Sequence, residues 1–170
     1  MLAPVVVAVA ASASACATYR AGSFQSGSEP FVGERTQAGC LDLAIDVKRD
    51  PVATGPVVQY QFGNRCDRST TIDLAAVQVT GRTASGAEVA MVAYDPYDQI
   101  RALPLDARGV GRERIEYRTA REFGGDVIAV CVAIGRLGMV EPRPDMEVTC
   151  QGVEPVARVA ESRSATEVAP

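Results

Sequence analysis

Cys40-Leu41-Asp42-Leu43-Ala44-Ile45-Asp46-Val47-Lys48 and Val57-Val58-Gln59-Tyr60-Gln61-Phe62-Gly63-Asn64-Arg65-Cys66 decide how this chain is read. In the first, Leu41, Leu43, Ile45 and Val47 alternate with Asp42, Ala44, Asp46 and Lys48; in the second, Val58, Tyr60 and Phe62 alternate with Gln59, Gln61 and Gly63. A period of two sends successive side chains to opposite faces of a strand, so each segment predicts a β-strand with one apolar and one wet face. Pro51, Gly55 and Pro56 break any helix between them, which predicts a hairpin.

The same period runs outward to Gly152. Thr70 to Arg82 changes parity, with Ile72 and Leu74 on one face and Val77 and Val79 on the other, and predicts one strand bulged near Ala75 and Ala76. Thr83-Ala84-Ser85-Gly86 suits a tight hairpin, with Gly86 at positive φ, leading into a strand from Glu88 to Tyr94. Pro104 marks the run from Ile100 to Leu105 as an edge. Arg112, Arg114, Glu116 and Arg118 then alternate with Ile115 and Tyr117. Val127 to Ile134 is apolar on both faces, as in a central strand, and Met146 to Gln151 closes the set. With no convincing helical period, the fold class expected is all-β: an antiparallel β-sandwich of seven to eight strands over residues 40–152. A domain of this size buries a sizeable core.

The cysteines and the N-terminus speak about compartment. Leu2 to Ala11 is an apolar run of signal-peptide length, followed by the small residues Ala13 and Ala15, so residues 1–15 read as an export signal. Ala13-Ser14-Ala15-Cys16 resembles the bacterial lipobox, with Ala13 where Leu is usual. That resemblance implies cleavage before Cys16, acylation of its thiol, and membrane anchoring in a bacterial cell envelope. Ala17, not Asp, follows the Cys, which favours the outer membrane, facing the periplasm or the cell surface. Five cysteines is an odd number. Assigning Cys16 to lipid leaves Cys40, Cys66, Cys131 and Cys150, an even set suited to disulfides in an oxidising compartment. A hairpin centred near Val140 and Glu141 sets Cys131 opposite Cys150. Cys40 and Cys66 bracket the opening hairpin, although Cys40 shares parity with Asp42 and Cys66 with Phe62. Pairing them requires a bulge or irregular chain at the strand ends. A four-thiolate zinc site lacks any Cys-x-x-Cys pair.

Residues 16–39 are rich in Gly, Ser and small polar side chains without sustained periodicity. They read as the lipidated Cys16 and a flexible tether, whose coil would reach roughly 25 Å. Residues 153–170 read as a disordered or short helical tail. Four segments, VVQYQFGN (57–64), IDLAAVQV (72–79), ASGAEV (84–89) and LPLDARGVGRERIEY (103–117), resemble the pattern of small immunoglobulin-like domains of bacterial lipoproteins, the FxLYD and telokinin-like groups. The pattern's Leu-x-Pro-Gly-Glu is here Leu105-Asp106-Ala107-Arg108-Gly109, without the Pro. The resemblance implies a fold and carries over no active residue.

Chemistry is sparse. The absence of histidine excludes Ser-His and Cys-His catalysis and His-based metal sites. With 17 basic and 21 acidic residues, and every basic residue but Lys48 an arginine scattered among acids, nucleic acid is not an expected partner. Tyr94-Asp95-Pro96-Tyr97-Asp98-Gln99 gathers two acids and two aromatics on a loop and is the candidate contact site. A solvated turn explains the same residues, and calcium would need six to eight oxygens that no loop motif supplies. The Arg112 to Arg118 ladder reads as a solvent face with an anionic partner, sugar or lipid headgroup as the sharper alternative. No catalytic residue, metal or cofactor is assigned.

The expectation is a non-enzymatic, lipid-anchored envelope protein, a binding or accessory module whose partners are the membrane, through its lipid, and an envelope protein or glycan. Alternatives are a carboxylate-dependent hydrolase or carbohydrate-active domain using Asp95 or Asp98, and an inhibitor or immunity-type protein presenting the 94–99 loop. Intact mass checks the anchor: mature protein should carry acyl mass on Cys16 and yield four thiols on reduction, whereas five alkylatable thiols and no acyl mass contradict it.

Overall fold

The structure, a computed structural model, describes residues 18–97, 102–121, 125–134, 137 and 148–153. Its strands are β1 (Gln25–Ser26), β2 (Glu29–Pro30), β3 (Glu34–Ala38), β4 (Leu41–Arg49), β5 (Pro56–Asn64), β6 (Thr70–Ile72), β7 (Val79–Thr83), β8 (Glu88–Ala93), β9 (Leu103–Leu105), β10 (Val110–Thr119), β11 (Val127–Ala133) and β12 (Val148–Gly152). Every pairing is antiparallel, and the described residues hold no α-helix. Eight strands form one continuous ladder in the order β12-β11-β7-β8-β10-β5-β4-β3, with β1-β2 and β6-β9 as separate ribbons. The expected all-β, disulfide-stapled sandwich is what the chain forms.

β10 makes two layers out of one ladder. Val110 to Glu116 pair with β5, while Tyr117 to Thr119 pair with β8. A long strand shared between two sheets folds the ladder over a common core, a corner found in sandwiches and barrels alike. Leu43, Ile45, Tyr60 and Phe62 from one layer meet Val79, Met91, Val130 and Val132 from the other, all buried. The Tyr60 and Tyr117 hydroxyls satisfy each other at 2.9 Å inside this core. Burial pushes both phenols above their ordinary pKa, so the pair stays neutral.

One edge of the ladder, β12, is tied back to β4 by a side chain. Gln151 of β12 accepts from Val47 N at 3.0 Å and donates to Ile45 O on β4, standing in for a strand beyond the reach of β3. A carboxamide carries the same donor and acceptor as a peptide group, so it extends the ladder by one pairing.

Three readings from the sequence are corrected by these strands. Thr70 to Arg82 is not one bulged strand. β6 pairs with β9 and β7 with β8 and β11, and the Leu74–Ala76 turn between them, held by Ala75 N on Asp73 Oδ1 at 3.0 Å, carries the chain from one sheet to another. Ile72, Leu74, Val77 and Val79 therefore all reach the same core despite their parity. The second face of β4 is wet only at its far end: Asp42 and Ala44 are fully buried, while Lys48 is exposed. The cover comes from the segment read as a tether: residues 18–33 fold onto the outer face of β4 and β5, and residues 34–38 add β3 to the edge of the ladder. Tyr19, Phe31 and Ala44 form a second apolar cluster, flanked by Phe24, and the Tyr19 and Phe31 rings stack 5.9 Å apart.

Polar side chains of the strands peg this cover down. Asp42 Oδ2 accepts from Tyr19 Oη at 2.7 Å and from Gly22 N at 2.5 Å, and Arg65 Nε stands 3.2 Å from Oδ1. Gln61, also buried, accepts from Val32 N at 2.5 Å. Gly63 is required beneath Tyr19, because a Cβ there would lie 2.0 Å from the Tyr19 ring. Gly33, at φ +98, brings the returning chain so close to Ile45 O that a Cβ would overlap it.

Both disulfides form as expected. Cys131 and Cys150 sit directly opposite in the β11-β12 ladder. Cys40 and Cys66 lie just beyond the ends of β4 and β5, where the last ladder pair is Leu41 with Asn64 and Arg65 N donates to Cys40 O at 2.7 Å. That irregular chain at the strand ends is what resolves the parity conflict. Cys16, Val140, Glu141, Met146 and the tail beyond Val153 lie outside the described residues.

Replacing Asp42 by Ala strands the buried Tyr19 hydroxyl and takes the counter-charge from the half-buried Arg65, while the amide of the exposed Gly22 turns to water. Each buried unsatisfied group costs about 1–3 kcal/mol, so urea unfolding should show Asp42→Ala destabilised by a few kcal/mol and Tyr19→Phe, which keeps the ring, by about 1 kcal/mol. Equal stability of Asp42→Ala and the parent contradicts the peg.

Candidate functional site

The two ends of the sandwich differ. At the disulfide end, buried Asn64 donates through Nδ2 to Arg68 O and Asp106 O, both at 2.8 Å, and accepts from Cys66 N at 3.0 Å. Arg108 N donates to Cys66 O, and its guanidinium meets Asp67 at 2.8 Å. One asparagine thus satisfies two loops at once, and this end is closed.

The opposite end is open. A cleft of about 630 Å³ lies between the β4-β5 turn and the connection from β10 to β11, lined among others by Arg49, Asp50, Met91, Tyr117, Arg118 and Arg121. Glu116, just outside that lining, fastens three of its residues, Thr54, Gly55 and Arg118. Glu116 Oε1 accepts from Thr54 Oγ1 at 2.9 Å, from Thr54 N and Gly55 N at 3.2 Å, and from Arg118 Nε at 2.8 Å. Gly55 is tight here, for a Cβ would lie 2.0 Å from Tyr117 O. Burial by itself would raise the Glu116 pKa, but the hydrogen bonds from Arg118 and Thr54 outweigh it and hold the carboxyl below the usual range. In the turn itself, the Val52 amide, and then Arg114, hold the half-buried Asp50 carboxyl below its usual range.

Arg118 joins the cleft to the loop that the sequence singled out. Its guanidinium stands 3.1 Å from the centre of the Tyr94 ring while its Nε stays on Glu116. Tyr94 N donates to Glu116 O at 2.8 Å, which fixes where β8 peels away from β10. Tyr94 is 41% exposed and Tyr97, three residues on, is 79% exposed. Asp95 is within the described loop; Asp98 and Gln99 lie outside the described residues. The structure therefore brings Tyr94 together with Arg118, a pairing absent from the sequence reading, and leaves Tyr97 projecting.

The Arg112 to Arg118 ladder is divided among acids: Arg112 pairs with Glu29 at 3.0 Å, Arg114 with Asp50, and Arg118 with Glu116. Each charge is met locally, so the ladder offers no concentrated anion site. Among the described residues, no group of three or more His, Cys, Asp or Glu is arranged to hold a metal ion.

No family model matches the chain, and no curated protein matches it significantly. Among solved structures, the yjhA protein from Bacillus subtilis is similar, with a TM-score of 0.48 and 10% identity over 72% of this chain and 98% of that one.

Glu116 supplies a pH test with a defined sign. A carboxyl whose folded pKa is depressed adds stability that is fully present above its unfolded value, near 4.5, and is lost as pH falls through the folded value. Glu116→Gln should therefore flatten the drop in melting temperature below pH 4.5; a parent and variant with parallel acid limbs contradict the assignment.

Proposed function

We propose that this protein is a non-enzymatic, lipid-anchored module of the bacterial cell envelope that binds a partner protein through the surface formed by Tyr94, Tyr97 and Arg118. The observation that carries this reading is the exposed Tyr94-Tyr97 pair, with Tyr94 clamped by an arginine that is itself fixed by Glu116. Tyrosine and arginine are the residue types enriched at interface centres, because they bury large areas at small entropic cost and still offer polar tips. A guanidinium already held on Glu116 loses little further freedom on binding, and that preorganisation favours affinity.

Two disulfides, leaving Cys16 as the unpaired fifth cysteine, support an oxidising compartment and a use for Cys16 other than bridging. The lipobox-like run assigns that use to acylation. Outer-membrane placement follows from Ala17. A glycan ligand and an enzyme active at Asp95 are the competing outcomes of the test.

A photo-crosslinking residue at Tyr97 in cells should trap one defined envelope protein, and Tyr97→Ala should weaken its binding at least about tenfold, as expected for an anchoring aromatic. The same probe at Glu88, on the distant β7-β8 hairpin, should not trap it. Equal trapping at both positions, or turnover of any substrate abolished by Asp95→Asn, contradicts the proposal.

A further inference from the structure

We propose that the disulfide end of the sandwich rests on the lipid headgroup surface, so that the cleft and the Tyr94-Tyr97 surface are presented away from the bilayer. This rests on Cys16 as the acylated residue and adds to it a fixed orientation. The chain joins the fold at the closed end: Tyr19 N donates to Arg108 O at 2.7 Å, its ring lies over Gly63, and its hydroxyl is held by Asp42. Three independent contacts thus immobilise a residue only three positions after the anchor. The two residue steps from Cys16 to Thr18 span at most about 7 Å of extended chain. A tether of the reach expected from composition would leave the domain free to tumble, whereas a leash this short does not. The nine residues of β5 then separate the two ends by about 30 Å.

The surface this places on the membrane comprises the Gly39-Cys40 turn, Cys66 to Ser69, and Asp106 to Gly109. Its three guanidinium groups, Arg65, Arg68 and Arg108, are matched in number by the carboxylates of Asp42, Asp67 and Asp106. Two of the arginines are already paired, Arg65 with Asp42 and Arg108 with Asp67. Attraction to anionic lipid is therefore weak, and the anchor's length sets the orientation. Salt should leave it unchanged, because screening acts on charges and not on a covalent link.

The chain contains no tryptophan, so single introduced tryptophans report position without background. Arg68→Trp and Ser69→Trp mark the closed end, and Val52→Trp marks the open end, where Val52 is 91% exposed. The mature protein, purified from membranes, is reconstituted into phosphatidylethanolamine and phosphatidylglycerol vesicles containing a headgroup-nitroxide phospholipid. Arg68→Trp and Ser69→Trp should be quenched several-fold more than Val52→Trp, with the same ratio at about 1 M salt, where the screening length is about 3 Å. Equal quenching at both ends, with acyl mass present on Cys16, overturns the orientation and leaves the anchor standing. Absence of acyl mass removes the anchor and this inference with it.

Discussion

A carboxylate buried on the outer face of a β-strand is costly unless donors surround it, and Asp42 makes the rest of this structure depend on that condition. Its hydrogen-bond donors come from a distant part of the sequence, the Tyr19 hydroxyl and the Gly22 amide, and the Arg65 guanidinium after it supplies an opposite charge without a hydrogen bond. With those partners in place, the segment from Thr18 to Gly33 becomes a lid on β4 and β5. Without them, Asp42, Gln61 and the apolar Ala44 would all face water, as their alternation predicts. The hydroxyl–carboxylate bond also pushes the Tyr19 phenol up to about 12, after the larger effect of its burial, so the donor keeps its proton throughout the neutral range.

The lid fixes which end of the molecule is which. Tyr19 enters against Arg108, at the end where the Cys40-Cys66 bridge and Asn64 draw the loops together. The other end lacks such a staple among the described residues, and its turns are held by side chains around Glu116. Closed and open ends are therefore consequences of where the covalent and polar fasteners lie. The tyrosine-bearing loop is positioned by the same Glu116, through its backbone carbonyl and through Arg118, so that contact surface and cleft share one support.

How far the sequence could be read follows from the range of the interactions involved. β4, β5 and β10 are legible because alternation is local and each strand's inner face is apolar, and β11 because its short run is apolar on both faces. The Cys131-Cys150 pairing was legible because a hairpin register is fixed by its two strands alone. The lid was not, because its Gly and Ser content masks Tyr19, Phe24 and Phe31, and what orders them is a carboxylate more than ten residues away. A signal was present: three of the chain's aromatics, among only five tyrosines and four phenylalanines, fall within residues 19–31. The parity change near Ala75 was visible, but a bulge and a move between sheets produce the same pattern. Of the candidate site, Tyr94 and Tyr97 could be named from the sequence. In the sequence Arg118 reads only as a rung of a charged ladder, since its place over Tyr94 depends on the β8-β10 register.

Backbone hydrogen exchange at Gly22, Phe24, Phe31 and Val32 tests the lid most directly, because their amides bond to Asp42, to Tyr19 Oη, to Phe24 O and to Gln61 in the structure. Protection approaching that of the β4 and β5 amides is the predicted result, collapsing selectively in Asp42→Ala. Exchange of these four amides at the rate of an unstructured chain in the parent protein would return residues 18–33 to a tether and remove the basis for the orientation proposed above.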